Sequence, residues 1–266
     1  MRALRSLPVV LTIAGSDSSA GAGIQADIKT FSALGVLGAC AITAITAQNS
    51  VRVISIAAVK PAMVAAQIEA IAADTKIAAL KTGMLANAKI VNAVADAISR
   101  LELPAPVVDP ITRSTSGAML LDSAGERAML RRLFPLARIV TPNIPEAEAM
   151  TGVRIRDLDS MRQAAEAIVA RGVRAVVVKG GHARLGRDAV DIFFDGKTFS
   201  EFRSARTGGR EVHGTGCAFS AAIAAYLARG ETLEEAVRRA KWFVARAIRA
   251  AYSAGRGRAM LNHFAR

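Results

Sequence analysis

Residues 9–48, VVLTIAGSDSSAGAGIQADIKTFSALGVLGACAITAITAQ, carry the alternation that decides the fold. Val9–Ala14 is a short apolar run with the character of a buried strand, and it stops in the polar, glycine-rich loop Gly15–Gly23. Ile24, Ile28, Phe31 and Leu34 then recur at helical spacing, and Gly35 and Gly38 end that helix. Ala39–Ala47 returns to small and β-branched apolar residues, the mark of a second strand. Strand, loop, helix and strand in this order form a unit whose two strands lie parallel and whose helix covers one face.

The same alternation continues outward. Val51–Val59 reads as extended, Pro61 opens a helix to about Asp74, Ile77–Lys81 is a strand, and Asn87–Arg100 is a helix. Val107–Asp109 and Ile139–Thr141 are short strands; Pro145 opens a helix and Leu158–Arg171 forms the next. Ala175–Lys179 is a strand ending in Gly180-Gly181, and Asp195-Gly196 joins Val190–Phe194 to Lys197–Arg203 as a hairpin. Gly214-Thr215-Gly216 opens an alanine-rich helix to Ala228, and Leu233–Ala251 is the closing helix, with a short Arg256-Gly257-Arg258 tail after it. No repeat and no low-complexity linker divides the chain. The expectation is one α/β domain over residues 1–266, a mostly parallel sheet covered on both faces, with no second enzymatic domain.

Composition narrows the function. With 266 residues and 52% hydrophobic content the chain can bury a large core. No apolar run approaches the ~20 residues of a membrane span, and Val9–Ala14 is too short for a signal-peptide core. Two cysteines, Cys40 and Cys217, make no disulfide framework, so a cytoplasmic location is expected. His182, His213 and His263 show no zinc-ligand spacing. The net charge of +13 admits a basic nucleic-acid-binding protein, but the arginines scatter over several helices and the few aromatics do not interleave with them. An enzyme with anionic substrates, with no nucleic-acid partner and no membrane partner, accounts for the charge better.

The chemistry gathers where the strands end. In parallel α/β sheets ligands sit beyond the carboxyl ends of the strands. Polar or glycine-rich clusters follow Ala14, Ala47, Lys81, Val108, Thr141 and Lys179. Gly214-Thr215-Gly216-Cys217 lies at a helix N-terminus, where backbone N–H groups and the helix dipole favour an anion. No Gly-Lys-Ser/Thr follows a glycine loop, which excludes a Walker A phosphate site. Cys217 is a candidate base or nucleophile, since a thiol at a helix N-terminus has a depressed pKa; a buried packing role is the alternative. Asp109 and Glu146, with Asn143 between them in sequence, suit a magnesium ion held through water, although Glu146 also stands where a first-turn acid stabilises a helix. Lys179 suits an ammonium that reaches nucleotide phosphate. The carboxamide of Gln48 matches the donor and acceptor edge of an aminopyrimidine, and Met84 offers a polarizable wall beside a ring.

Seven motifs stand in order along the chain: LTIAGSDSSAGAGIQADIKTFSALG, ITAITAQNS, KTGML, VVDP, TPNIPEAE, VVVKGGH and HGTGCAFSAAIAA. Together they resemble the bacterial hydroxymethylpyrimidine/phosphomethylpyrimidine kinases of thiamine biosynthesis, from Leu11 to about Phe243. The resemblance implies a ribokinase-like three-layer αβα sandwich, the cofactors ATP and Mg2+, two successive phosphorylations of a small aminopyrimidine alcohol, and a homodimer. It also implies a pyrimidine pocket at Gly15, Asp27, Thr46, Gln48 and Met84, and a metal and nucleotide region at Asp109, Asn143, Glu146 and Lys179. The anion hole falls on Gly214, Thr215, Gly216 and Cys217, with the cysteine where ribokinase relatives carry an aspartate base. Two departures stand out: many members carry a lysine near Thr115, and a proline with more glycine where this chain reads Ser18-Ser19-Ala20. Pyridoxal or pyridoxine kinase activity and a non-enzymatic basic binding protein are the competing expectations.

Overall fold

A computed structural model describes residues 7–114, 116–181, 188–206 and 212–265; Thr115 and His182 lie outside the described residues. The opening apolar run forms β1 (Val9–Asp17), longer than the sequence indicates because the backbone stays extended through a bulge between Ala14 and Ser16. Val10, Leu11, Ile13 and Ala14 are fully buried. Val10 faces one core while Leu11 and Ile13 face the other, the two-residue period of a strand covered on both faces.

Around β1 the chain builds α1 (Gly23–Ala33), β2 (Leu37–Gln48), β3 (Val53–Ala58), α2 (Pro61–Asp74), β4 (Ile77–Thr82), α3 (Ala88–Arg100) and β5 (Val107–Val108). There follow α4 (Ser123–Ala128), β6 (Ile139–Val140), α5 (Ile144–Thr151), α6 (Leu158–Val169), β7 (Val176–Lys179), β8 (Asp188–Phe194) and β9 (Phe199–Ala205). The chain closes with β10 (Val212–His213), α7 (Thr215–Ala228), α8 (Leu233–Arg249) and β11 (Ala259–Met260). Among the described residues the main sheet runs β3-β2-β1-β4-β5-β6-β7-β8-β9. Strands β2, β1 and β4 to β7 are mutually parallel, and β3, β8 and β9 add antiparallel edges. The core with Leu11 and Ile13 is completed by α2, α3, α4, α5 and α6, and the one with Val10 by α1, α7 and α8. This is the expected three-layer α/β/α sandwich.

Two regions differ from the sequence reading. The stretch after Asp109 contains α4, which runs on through a π-helical turn at Met129–Leu133 and a 3-10 turn at Phe134–Leu136. Gly125 and Pro135 interrupt it, so no sustained helical period marks it in the sequence. The arginine tail is tied down: the Arg258 N–H donates to Ser50 O at 3.0 Å, and β11 pairs in parallel with β10. A two-residue strand has no periodicity to detect.

That closing segment carries an acid-sensitive residue. His263 is buried, its Nε2 has no partner, and burial, then Lys29, push its pKa down to about 4. The unfolded chain, with an ordinary value near 6.5, therefore binds more protons than the folded one between these limits. Stability from this group is full above about pH 6.5 and is lost as pH falls toward 4, by roughly 2 kcal/mol. Urea melts from pH 7.5 to 4.5 are expected to show this loss, and His263→Gln to flatten it.

Candidate active site

The carboxyl ends of β1, β2, β4, β5, β6 and β7 open into one cleft of about 840 Å³. Of the residues expected to form the site, all but Asp27 line it.

At one end the bulge in β1 sets Gly15 against Met84. A Cβ at position 15 would lie 2.9 Å from Met84 Sδ, so the glycine lets the thioether lie flat against backbone. Thr46 and Gln48 sit at the end of β2, where Thr46 Oγ1 donates to Ser16 O at 3.1 Å and to Gln48 Oε1 at 3.3 Å. Gln48 Nε2 lies 3.0 Å from His213 Nε2, which is also 3.1 Å from Asp17 Oδ2. Burial works against the Asp17 carboxylate, but hydrogen bonds from His213, Ser19 and the Ala22 N–H hold its pKa below the usual range. A carboxamide whose oxygen is anchored by Thr46, beside the His213–Asp17 pair, suits a flat, polar-edged ring.

In the middle of the cleft α7 begins. Gly214 has φ +82° and caps the helix without any side-chain acceptor, so the first-turn N–H groups are left for a ligand. A Cβ at Gly214 would overlap the Gly21 carbonyl oxygen, which locks this turn to the loop after β1. A Cβ at Gly216 would lie 3.4 Å from Lys179 Nζ and 3.7 Å from Asp109 Oδ2, so the ammonium and the carboxylate face the helix N-terminus. Asp109 Oδ1 accepts from Lys179 Nζ at 3.1 Å and from Thr141 Oγ1 at 3.2 Å, and Ser220 Oγ donates to Oδ2 at 3.3 Å. Burial works against the Lys179 ammonium, yet Asp109 and Glu146 outweigh it and raise its pKa.

Asn143 and Glu146 form a capping box on α5: each side chain accepts the other's backbone N–H, at 2.9 and 2.8 Å. The helix-stabilising reading of Glu146 is thus realised, and both residues still line the cleft. Burial and then Asp109 push the Glu146 pKa up to about 7, against the opposing pull of Lys179. The Asp109 charge beside the Glu146 carboxyl makes this a place that a cation would favour. The donors are all oxygen and few, which fits magnesium retaining its waters.

Two expectations need correction. Cys217 is not an acidic thiol: burial pushes its pKa up to about 12, and Asp27 and Asp109 add to the rise, while Lys81 and the Gly23 N–H oppose it. A helix N-terminus lowers a thiol pKa only when desolvation does not exceed it. Asp27 does not line the cleft; it is fully buried and pairs with Lys81 Nζ at 2.7 Å. Residues the sequence reading left without a role are Lys81, Asp17 and His213, each inside a motif that drew attention to other positions. At the far end Ala189, Val212, Phe219, Val244 and Ile248 wall an apolar slot beside the Asp191–Lys241 ion pair at 2.8 Å. The sequence reading did not point to that slot, because its residues come from separate elements and share no local signal.

Comparison with known proteins bears on the whole arrangement. The family model described as phosphomethylpyrimidine kinase matches residues 17–262. A hydroxymethylpyrimidine/phosphomethylpyrimidine kinase of Rhizobium meliloti is 48% identical over 97% of both chains. A thiamine biosynthesis bifunctional protein of Geobacter sulfurreducens is also 48% identical over 96% of this chain, which spans about half (52%) of that protein's length. Among solved structures, an ADP complex of Bacillus subtilis pyridoxal kinase superposes with a TM-score of 0.91 at 36% identity, covering 98% of each chain. A Clostridium difficile phosphomethylpyrimidine kinase superposes with 0.80 at 41% identity, covering 91% of this chain and 99% of that one. With the glycine loop that opens α7, the paired Asp109 and Lys179 and Gln48 gathered in one cleft, and with the family model matching residues 17–262, this chain belongs to the phosphomethylpyrimidine kinase family.

Proposed function

We propose that this chain transfers the γ-phosphoryl group of ATP to the hydroxyl of 4-amino-5-hydroxymethyl-2-methylpyrimidine and then to the resulting monophosphate. The observation that carries the reading is the single cleft that joins the Gln48 and Met84 wall to the bare N-terminus of α7. The pyrimidine ring lies against Met84 and Gly15, with Gln48 meeting its amino group and ring nitrogen. Its hydroxymethyl group then points at the α7 N-terminus, where the Gly214–Cys217 backbone amides receive the phosphoryl group. Lys179 neutralises phosphate charge, and the apolar slot beside Lys241 takes the purine. Asp109 and Glu146 are the residues that would hold magnesium through its waters, and the ion when bound neutralises the phosphates. Phosphoryl transfer asks little more of a protein than this positioning and charge placement. Cys217 takes the proton of the attacking hydroxyl.

Removing a hydrogen-bonding partner from a buried ligand group costs about 1–3 kcal/mol, so Gln48→Leu is expected to raise the pyrimidine KM roughly ten- to a hundredfold. Calorimetry should show ATP affinity unchanged, and an unchanged pyrimidine affinity would remove Gln48 from the site. Pyridoxal phosphorylation is the second reading, favoured by the superposition on the Bacillus subtilis pyridoxal kinase. An ATP-consumption assay across hydroxymethylpyrimidine, its monophosphate, pyridoxal and pyridoxine separates the two. A higher kcat/KM for pyridoxal overturns the thiamine assignment.

A homodimer is part of the same proposal. The edge strand β3 exposes Ile54 and Ile56 on one face, and its neighbour β2 exposes Ile45 on the other, with Ile54 63% exposed. Apolar edge strands of this kind invite a second copy. Sedimentation is expected to give a dimer, and Ile54→Glu a monomer. Cys40 and Cys217 are both free thiols, which supports a cytoplasmic setting.

A further inference from the structure

The Asp27–Lys81 pair takes no part in the transfer described above, yet it is fully buried where Lys81 reaches the cleft wall. Both side chains are 0% exposed. Lys81 Nζ and Thr12 Oγ1 both donate to Asp27 Oδ2, at 2.7 and 2.6 Å, and Asp27 Oδ1 has no partner. For stability alone, apolar residues of similar volume serve better than such an incompletely satisfied buried pair. Its place explains it better than its energy does.

Lys81 stands on β4, α7 packs across β4, and Cys217 is in the first turn of α7. A Cβ at Gly83 would lie 2.9 Å from Lys81 Nζ and 3.0 Å from Ala14 Cβ, so the glycine of the KTGML motif leaves the ammonium its room. Lys81 and Cys217 both line the cleft and act on each other electrostatically. Burial pulls the ammonium toward neutrality, but Asp27, then Cys217 and Asp109, hold it protonated. Burial, Asp27 and Asp109 all raise the thiol pKa, and Lys81 is the largest influence against them.

We propose that Lys81 is a positioning residue for Cys217: its ammonium, gripped by Asp27, is the counter-charge that favours the minor thiolate form of the sulfur, the form that takes the substrate proton. The hydroxyl proton moves to Sγ as the substrate oxygen bonds to the γ-phosphorus. The bond from that phosphorus to the bridging oxygen breaks, ADP leaves with the electron pair, and the thiol returns its proton to water in the open cleft. Asp27 thereby serves the reaction from behind the wall without touching the pyrimidine. The proposal rests on the reading of Cys217 as the base.

The test compares wild type with Lys81→Met and with Lys81→Gln, a polar replacement that leaves Asp27 in place and keeps the experiment open if the methionine variant does not fold. Circular dichroism checks folding, and iodoacetamide alkylation of Cys217, resolved by peptide mass spectrometry from pH 7 to 9.5, reads the thiolate population. Alkylation at a given pH is expected to slow about tenfold or more, with kcat falling by a similar factor and KM for ATP within about twofold. A purely structural role would leave the alkylation profile where it is, and an unchanged profile in either folded Lys81 variant overturns the proposal. A shifted profile with unchanged kcat, where Cys217→Ala is inactive, overturns it too. Full activity in Cys217→Ala instead sinks the base reading alone, because the alkylation profile still reports the Lys81–Cys217 coupling.

Discussion

Cys217→Ala is expected to lower kcat by about 10²-fold, with little change in KM for ATP. General-base assistance contributes about 10²–10⁴-fold, and the low end applies because positioning and electrostatics carry most of a phosphoryl transfer. The pH profile distinguishes the base from a packing residue. Burial pushes the thiol up to about 12, so the thiolate is a minor species at neutral pH. Below its pKa that species grows about tenfold per pH unit, so the wild-type rate should rise with pH through roughly 7–9 while the alanine variant lacks this rise. Glu146, raised to about 7, is present in both proteins, so the difference between the two profiles isolates the sulfur. Cys217→Asp restores a base at the position where sugar-kinase relatives carry aspartate and is expected to recover part of the activity. Wild-type kcat and an unchanged profile in Cys217→Ala would reduce the thiol to helix packing.

The second large effect is expected from Gly214→Ala. Gly214 holds φ +82°, a conformation costing other residues about 1–2 kcal/mol, and a Cβ there would overlap the Gly21 carbonyl oxygen. Overlap with backbone has no soft side chain to absorb it and adds about 1–3 kcal/mol. Urea melts should therefore show a loss of roughly 2–5 kcal/mol. The same shift is expected to move the first-turn amides of α7 away from the phosphoryl site proposed there. Losing one such donor costs about 10²–10³ in kcat, so that loss should appear at temperatures where the variant is still folded. Wild-type kcat in folded Gly214→Ala would place the anion hole elsewhere.

Whatever depends on neighbours along the chain was legible before any folding. The alternation of Val9–Ala14, the Ile24-to-Leu34 helix and Ala39–Ala47 is local, and it required the parallel, doubly covered sheet built on β1 and β2. The convergence of Gly15, Gln48, Asp109, Lys179 and Gly214 at one sheet end follows from the same topology, since parallel strands end on the same side. Tertiary structure alone decided what each of these groups is worth. Asp27 meets Lys81, Asp17 meets His213 and Asp191 meets Lys241 across separations that carry no periodic signal. Those meetings turned Asp27 from a pocket residue into the anchor of a buried ammonium. The proton affinity of Cys217 is likewise the sum of its burial and of charges on β4, on α1 and just past the end of β5, none of them adjacent in sequence. A helix N-terminus can be read in four residues, whereas the desolvation that overrides it exists only once the sheet, α1 and α7 have closed around the sulfur.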